Sequence, residues 1–267
     1  MTGTVYLVGA GPGAADLLTL RAARLLERAD VLFHDALVSR EVLALASRAA
    51  KVEVGKRSGK LSTAQHFINK RLVDAARKHE VVVRLKGGDP LLFGRAHEEM
   101  AFLKENGIAF EIVPGVTAAL AAAAELRTSL TRRGLSRSVA FLTTRAAPGE
   151  APNDWLRTAV AADTVAIYMG AGEADSIRRD LLAAGKPAAT PVAVVENASL
   201  PEASFDFGTL DRLPEIAARG SGGPSLILLG EVFADAAIIR AWPSARSSSL
   251  PTAPVIPIGR GRSGALR

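Results

Sequence analysis

The chain has 267 residues, 48% of them hydrophobic, which suffices for two compact domains and excludes disorder over most of its length. It contains no cysteine, so disulfide frameworks, thiolate zinc sites and cysteine nucleophiles are excluded. Of the net charge of +6, the four arginines between Pro243 and Arg267 account for +4, which leaves +2 for the rest, too little to indicate a nucleic-acid partner.

Other bulk features exclude further classes of protein. The four histidines lack the paired spacing of metal ligands, so we expect an organic cofactor and no metal. The first residues carry no basic leader, and no apolar run is long enough to cross a bilayer. We therefore expect a cytoplasmic protein without a membrane anchor.

In the first half, short β-branched runs alternate with amphipathic segments. The predicted strands are "VYLV", "VLF", "KVEV", "VVVRL" and "FEIV", and the predicted helices include Leu17 to Arg28 and Thr63 to Lys78. This alternation predicts right-handed crossovers and a mostly parallel sheet. Asp16 and Ser62 have the side chains of helix N-caps, so we expect the two helices to begin directly after them.

The second half also alternates predicted strands and helices, but the turns between them differ. The predicted strands are "SVAFLTT", "TVAIYM", "PVAVVEN", "SFDFGTL" and "SLILLG", and the predicted helices are Asn153 to Val160, Glu173 to Ala184 and Asp211 to Arg219. The segment "ASFDFGTLD" is typical of an antiparallel strand, which predicts a mixed sheet. A Pro-Gly pair after "FEIV" places the boundary between residues 1–115 and residues 116–242. We expect disorder in the basic tail, residues 243–267, which is rich in Pro, Ser and Gly.

The first glycine loop follows a strand and leads into a helix. Gly9, Gly11 and Ala14 satisfy the permissive dinucleotide pattern G-x-G-x-x-G/A, and Asp35 follows the second strand, where a ribose partner would lie. One hypothesis is therefore an NAD-dependent oxidoreductase. Pro12 weakens it, because proline removes a backbone N–H that should bind pyrophosphate. A tight turn without any ligand is the other alternative.

Two more strands end in small residues. "VVVRLKGGDP" ends with Gly87, Gly88 and Asp89, and "FEIVPGVT" ends with Gly115 and Thr117. Together the three loops would leave an open crevice at the carboxyl edge of the sheet, where α/β folds bind ligands. A carboxylate in that crevice favours a positively charged nucleoside over a diphosphate. S-adenosylmethionine has this chemistry, with a sulfonium, an ammonium, a ribose and an adenine.

At this point the motifs carry a resemblance. "VYLVGAGPG", "HDALVS", "VGKR", "VVRLKGGDPLLFGR", "VPGVTAA", "LTRRGLSRSV", "YMG", "PVAVVENA" and "LGEV" resemble, in order and spacing, the tetrapyrrole methyltransferases, and most closely the uroporphyrinogen-III C-methyltransferase branch. The resemblance runs from about Thr4 to Val232. It implies two α/β domains, a mostly parallel N-terminal sheet and a mixed C-terminal sheet, with the ligand cleft between them, and a homodimer.

The resemblance also implies an activity. It is the S-adenosylmethionine-dependent C-methylation of uroporphyrinogen III, by way of precorrin-1, to precorrin-2 for sirohaem or cobalamin biosynthesis. Donor contacts fall by motif on Pro12, Gly87, Gly88, Asp89, Leu92, Thr117, Ala118, Met169 and Ala198. Asp35 is implied as proton acceptor and Lys56 as proton donor. The acceptor is an anionic tetrapyrrole with eight carboxylates, for which Arg57, Arg95, Arg132, Arg133 and Arg137 are candidate partners.

Simpler roles remain open for several of these residues. Met169 could be a core methionine, Thr117 an N-cap, and Asp89 the cap of the following helix. Departures from the family pattern lie on the acceptor side: they are His34 and Ala36 around the proposed base, Ala96 and His97, Arg132, and the segment Thr143, Thr144 and Arg145. The rival functions are therefore methylation of a later corrin intermediate or of RNA, and donor binding without catalysis.

Overall fold

The computed structural model describes residues 2–54, 61–146 and 154–236, and for residues 61–64 the backbone alone. The strands are β1 Thr4–Gly9, β2 Val31–His34, β3 Ala50–Glu53, β4 Val81–Lys86, β5 Ala109–Val113, β6 Val139–Thr143, β7 Thr164–Tyr168, β8 Pro191–Glu196, β9 Ser204–Thr209 and β10 Ser225–Leu229. The α-helices are α1 Leu20–Arg28, α2 Arg40–Leu45, α3 Leu61–Ala76, α4 Ala96–Glu105, α5 Ala118–Glu125, α6 Trp155–Ala161, α7 Ala174–Ala183 and α8 Leu213–Ala217. Within the described residues, no helix is both long and apolar enough to span a membrane.

The first sheet has the order β3-β2-β4-β1-β5 and is parallel throughout, which confirms the predicted parallel sheet. Side chains alternate between its two faces, so Val83 and Leu85 of β4 pack with α1 and α2, whereas Val82 packs with α3 and α4. The helices that follow the neighbouring strands β1 and β4 thus lie on opposite faces. Such a switch point leaves a crevice at the carboxyl ends of the two strands.

The second sheet has the order β6-β7-β10-β8-β9. β6 and β7 are parallel, and the other three pairs are antiparallel, which confirms the mixed sheet and the antiparallel "SFDFGTL" strand. Helix α5 packs on one face, and α6, α7 and α8 pack on the other. Because α5 packs on the second sheet, this arrangement supports the proposed division after residue 115. The predicted tail, residues 243–267, lies outside the described residues.

Two predicted helix starts are wrong. Asp16 lies in a short 3-10 turn, and α1 begins only at Leu20, where the Thr19 side chain accepts a hydrogen bond from the Ala22 N–H at 3.2 Å. Thr19 takes the cap position because the chain is extended at Leu18, between the turn and the helix. Ser62 already lies inside α3, which begins at Leu61. In both cases a polar residue close to the helix end was mistaken for the cap itself.

Candidate functional site

The three glycine loops meet at one edge of the first sheet. β1 lies between β4 and β5, so the segments that follow these strands are neighbours. Gly11 and Gly88 exchange backbone hydrogen bonds, with N···O distances of 3.2 and 2.7 Å. A Cβ on Gly9 would lie 2.6 Å from the Gly115 Cα, and one on Gly115 would collide with the Gly88 carbonyl oxygen. Glycine is needed at residues 9 and 115 because the loops themselves pack together.

Gly87 and Gly88 have different surroundings. Among the described residues, a Cβ built on Gly87 would meet only the Leu37 Cβ, and one on Gly88 only the Thr117 Cα, each at 3.9 Å. Gly88 also has a φ of +67°, which favours glycine. These two residues therefore border open space, into which a ligand could approach the backbone.

The first loop does not form a phosphate cradle. The Ala10 N–H donates to the Lys86 carbonyl at 2.7 Å, and the Gly11 N–H donates to Gly88. The Ala14 N–H donates to the Ser199 Oγ at 3.0 Å. With these donors used inside the protein, and with Pro12 supplying none, the geometry disfavours the dinucleotide hypothesis.

Asp89 connects two of the loops. Its Oδ1 accepts from the Leu91 N–H at 2.8 Å, and its Oδ2 accepts from the Gly115 N–H at 3.0 Å. It does not cap the next helix, because α4 begins only at Ala96. The half-buried Asp89 carboxylate is held at the crevice, and Leu92 is half-buried three residues later.

The second domain reaches the crevice through the end of β7. The Tyr168 hydroxyl lies 2.7 Å from the Thr117 Oγ1 and accepts from the Ala119 N–H at 3.2 Å. The Tyr168 ring lies 5.1 Å from the ring of Phe93, which follows β4 in the first domain. Burial raises the pKa of the Tyr168 hydroxyl, although both hydrogen bonds oppose the shift. Tyr168 thus joins both domains at the crevice.

The predicted donor contacts from the second domain surround this tyrosine. Met169 has a φ of +59° and is 42% exposed, so it is not a core methionine. Thr117 occupies the N-cap position of α5, but its hydroxyl binds Tyr168 in place of the helix backbone. Ala118 is half-buried in the first turn of α5, and Ala198 packs in the second core. Sequence reasoning missed Tyr168 and Phe93, although each adjoins a motif: Tyr168 precedes Met169, and Phe93 follows Leu92.

Ala198 belongs to a turn that touches the first loop. Its neighbour Ser199, with a φ of +73°, accepts the hydrogen bond from Ala14. A Cβ on Gly13 would lie 2.8 Å from the Leu200 side chain. The two segments that carry the predicted donor contacts Pro12 and Ala198 are therefore brought together from the two domains.

Asp35 lies directly after β2, and its side chain is 30% exposed. Its Oδ1 accepts from the Arg84 Nη2 at 2.6 Å. The predicted proton donor Lys56 and the candidate Arg57 lie outside the described residues.

A buried charge network adjoins Asp35. Arg84 and Lys86, each 3% exposed, both bind the fully buried Glu99 of α4. Burial acts to lower the pKa of Arg84, but the charges of Asp35 and Glu99 outweigh it and raise that pKa. Burial and then repulsion from Arg84 lower the pKa of Lys86. Sequence reasoning missed this network, although charged residues alternating in the apolar strand "VVVRLK" were a signal.

The candidate acceptor arginines lie in different places. Arg95 follows β4 and binds Glu98, with a Nε–Oε1 distance of 2.6 Å. Arg137 precedes β6, and its N–H binds Asp163, which precedes β7. The turn with Arg132 and Arg133 is joined to the first residue of β7 by a hydrogen bond between the Ser136 and Thr164 hydroxyl groups, at 2.8 Å. These three arginines thus lie at the amino-terminal end of β6 and β7. Four residue steps of about 3.3 Å along β7, from Thr164 to Tyr168, separate that end from Tyr168 by about 13 Å.

Arg145, which the sequence placed on the acceptor side but not among the candidate arginines, follows the other end of β6. Thr143 pairs with Tyr168, so the two residues after Thr143 reach the crevice edge. The Thr144 Oγ1 donates to the Glu173 Oε2 at 2.6 Å, and the Arg145 Nε lies 3.4 Å from the Glu173 Oε1. The Arg145 side chain is 57% exposed. Among the described residues, no group of three His, Asp or Glu side chains is placed to hold a metal ion.

Comparison with known proteins identifies a family to which the chain is similar. Residues 4–214 match the sequence profile of the tetrapyrrole (corrin/porphyrin) methylases. A siroheme synthase of Klebsiella pneumoniae is 46% identical over 232 residues, which are 86% of this chain and 49% of that protein. A siroheme synthase of Chromobacterium violaceum is also 46% identical, over the same shares. The chain thus spans about half the length of these curated relatives.

Solved structures agree with the sequence match. The uroporphyrin-III C-methyl transferase of Thermus thermophilus, determined with S-adenyl homocysteine, is 41% identical, with a TM-score of 0.77 over 87% of this chain and 99% of that chain. A cobalt precorrin-4 methyltransferase is 29% identical, with the same TM-score of 0.77 over 86% of this chain and 95% of that chain.

Proposed function

The chain belongs to the tetrapyrrole (corrin/porphyrin) methylase family, and from this premise we propose that it transfers methyl groups from S-adenosylmethionine to carbon atoms of uroporphyrinogen III. The product would be precorrin-2, formed by way of precorrin-1, for sirohaem or cobalamin biosynthesis. The observation that carries the proposal is the open backbone at Gly87 and Gly88, bordered by Asp89 and by residues of both domains. The name of the Thermus thermophilus enzyme and its bound S-adenyl homocysteine support the same acceptor and donor.

The residues at the crevice fit the proposed donor. A carboxylate, two unobstructed glycines and the exposed Met169 suit a flat nucleoside with a positive charge better than they suit a diphosphate. When bound, the donor supplies an electrophilic methyl group attached to a good leaving group. The protein is then required mainly to hold the two reactants in line and to exclude water. Loops from both domains hold the reactants and exclude water, through Gly88, Thr117, Met169 and Ala198.

Asp35 is proposed as the proton acceptor. Methylation of a pyrrole carbon leaves the ring positively charged, and loss of a proton restores its neutrality. The Asp35 carboxylate is partly exposed beside the crevice, and Arg84 fixes one of its oxygens. Lys56 is proposed as the proton donor from the sequence motif alone.

The acceptor carboxylates are proposed to bind Arg95 and Arg145. Both lie at the crevice edge, and each is at least one-third exposed, with a glutamate holding part of its guanidinium. A guanidinium can bind a carboxylate through two parallel hydrogen bonds. Arg57 remains a candidate from the sequence. Arg132, Arg133 and Arg137 are not included, because their segment lies at the other end of β6.

A direct assay tests the activity. The protein is incubated without oxygen with S-adenosylmethionine and uroporphyrinogen III, and the tetrapyrrole is followed by mass spectrometry. We expect a gain of one and then two methyl groups. If the protein binds the donor but the mass of the tetrapyrrole does not increase, uroporphyrinogen III is rejected as the acceptor. A parallel incubation with a later corrin intermediate then tests the second candidate, which the similarity to the precorrin-4 enzyme favours.

We further propose that the enzyme works as a homodimer in the cytoplasm. β6 is an edge strand of the second sheet, and its five residues are half-buried. Beside it lies a groove of about 560 Å³, lined mainly by apolar residues that include Leu120 and Phe141. Leu120 is 53% exposed. Light scattering should give the mass of a dimer for the wild-type protein. Leu120→Asp should shift the mass toward that of the monomer. A monomeric wild-type protein would reject the proposed homodimer.

A further inference from the structure

We propose that Arg84 is a positioning residue for methyl transfer, which orients the Asp35 carboxylate toward the crevice while Glu99 fixes the guanidinium from behind. The inference rests on the proposed function, in which Asp35 accepts a proton. It concerns a buried residue whose hydrogen bonds go to Asp35, Glu99 and Leu85, and which acts through Asp35.

Arg84 is placed for this role by the strand order. β4 and β2 are neighbours, and Arg84 lies beside Phe33, two residues before Asp35. The Arg84 Nη2 binds the Asp35 Oδ1 at 2.6 Å, and its Nε binds the Glu99 Oε1 at 3.1 Å. Its Nη1 binds the Leu85 carbonyl at 3.1 Å. Three nitrogens with separate partners fix the plane of the guanidinium, and hence the direction of its bond to Asp35.

Glu99 is itself held by other buried groups. The Lys86 Nζ lies 3.0 and 3.1 Å from its two carboxylate oxygens. The Gln65 Nε2 donates to the Glu99 Oε1 at 3.1 Å and to the Asn69 Oδ1 at 3.0 Å. Gln65, Asn69, Arg84, Lys86 and Glu99 are all buried, whereas the Asp35 side chain is 30% exposed. Within the network, Asp35 is the member that reaches the surface.

Packing alone does not require this network. Buried ion pairs can often be replaced by apolar residues of similar volume without loss of stability. The two cations and two carboxylates balance only while Asp35 is ionised. The geometry of the network, with the Arg84 Nη2 on Asp35 and the Arg84 Nε on Glu99, fixes where the Asp35 carboxylate lies.

A double-mutant cycle tests the inference. Arg84→Lys keeps the charge but loses the fork that spans Asp35 and Glu99, so we expect kcat to fall about 10- to 100-fold, with an unchanged Kd for S-adenosylmethionine. In the Asp35→Asn background, Arg84→Lys should cause no further loss. Equal losses in both backgrounds would indicate a merely structural role and would overturn the inference. Arg212→Lys, in an exposed pair with Glu215, is the matched control.

A second variant guards against failure to fold. Arg84→Met/Lys86→Met/Glu99→Met removes the three buried charges together, so none of them is left without its partner, and the apolar side chains fill similar space. We expect it to fold and bind the donor, but to lose kcat like Arg84→Lys. Wild-type kcat in this variant would overturn the positioning role alone. A wild-type chain that methylates no tetrapyrrole would overturn the proposed function and this inference together.

Discussion

The two ends of the β6–β7 pair use similar side chains in different ways. At the carboxyl end, Tyr168 joins the two domains and Arg145 stands partly exposed beside it. At the amino end, Arg137 and Ser138 donate backbone bonds to Asp163, and Arg132 pairs with Asp235 at 3.5 Å. Because parallel strands end at the same edge, strand direction decides which arginines can meet a ligand. We therefore propose the carboxyl end as the functional end and the amino end as a structural one.

The largest effect is expected from a substitution that blocks the close contact between the glycine loops at the carboxyl end of the first sheet. In Gly115→Ala the added Cβ would collide with the Gly88 carbonyl and lie 2.9 Å from the Gly9 Cα. We expect a loss of unfolding free energy on the order of 3 kcal/mol. Chemical denaturation measures it. Gly172→Ala, where a Cβ meets no atom of the described residues within 4 Å, is the control and should stay within about 0.5 kcal/mol of wild type. Equal stability of both variants would show that the loops are not packed as described.

The next largest effect is expected at Asp89. Asp89→Lys leaves the Leu91 and Gly115 N–H groups without their acceptor and places a cation where a sulfonium is proposed to bind. We expect calorimetry to detect no binding of S-adenosylmethionine. Asp89→Asn keeps one acceptor oxygen and loses the charge. It should therefore weaken the binding of S-adenosylmethionine more than that of S-adenosylhomocysteine, whose thioether sulfur carries no charge. Unchanged binding to Asp89→Lys would refute a ligand role for this loop.

The sequence was sufficient to predict the features that depend on local pattern. Period-two runs and intervening amphipathic segments predicted both sheets, including the antiparallel β9, and the three glycine loops predicted the crevice. These features follow from backbone requirements that few residue types satisfy. The helix start at Leu20 was missed because Asp16 and Thr19 are both good caps, and only the path of the chain selects between them.

Features that depend on tertiary pairing could not be predicted. Arg84 meets Asp35 and Glu99 only because β2 and β4 are neighbours and α4 packs on the same face. The motif around Arg132, Arg133 and Arg137 indicated an acceptor face, yet its distance from Tyr168 is set by the direction of β6. The sequence separation of Arg137 and Arg145 is small, and a single strand places them at opposite ends.

Substitution of these two arginines tests the difference between the ends directly. If Arg145 binds an acceptor carboxylate, Arg145→Ala should raise the KM for uroporphyrinogen III about 10-fold, as for the loss of a charge-assisted hydrogen bond of about 1.5 kcal/mol, with unchanged donor binding. Arg137→Ala should leave the KM within about twofold, because the backbone N–H that binds Asp163 remains. Steady-state kinetics at a fixed, saturating donor concentration measures both. A larger effect at Arg137 than at Arg145 would reverse the assignment of the two ends.

The smallest effect is expected at the amino end, where Asp163 accepts from the Arg137 N–H at 2.8 Å, the Ser138 N–H at 3.0 Å and the Ser138 Oγ at 2.8 Å. These bonds, led by the one from Arg137, lower the pKa of Asp163 in the folded protein. Its contribution to stability is thus fully present above the unfolded pKa of about 3.9 and is lost as the pH falls through the lower folded value. Because Asp163 is exposed, the contribution is small.

Asp163→Asn should therefore lower the melting temperature slightly near neutral pH and should match wild type more closely as the pH falls below about 4. Scanning calorimetry of both proteins at each pH isolates this group from the other carboxylates. Donor affinity and the KM for uroporphyrinogen III should not change, because the bonds of Asp163 lie at the end of β7 remote from Tyr168. If Asp163→Asn instead weakened donor binding, the two ends of the β6–β7 pair would be coupled, and their division into a functional and a structural end would fail.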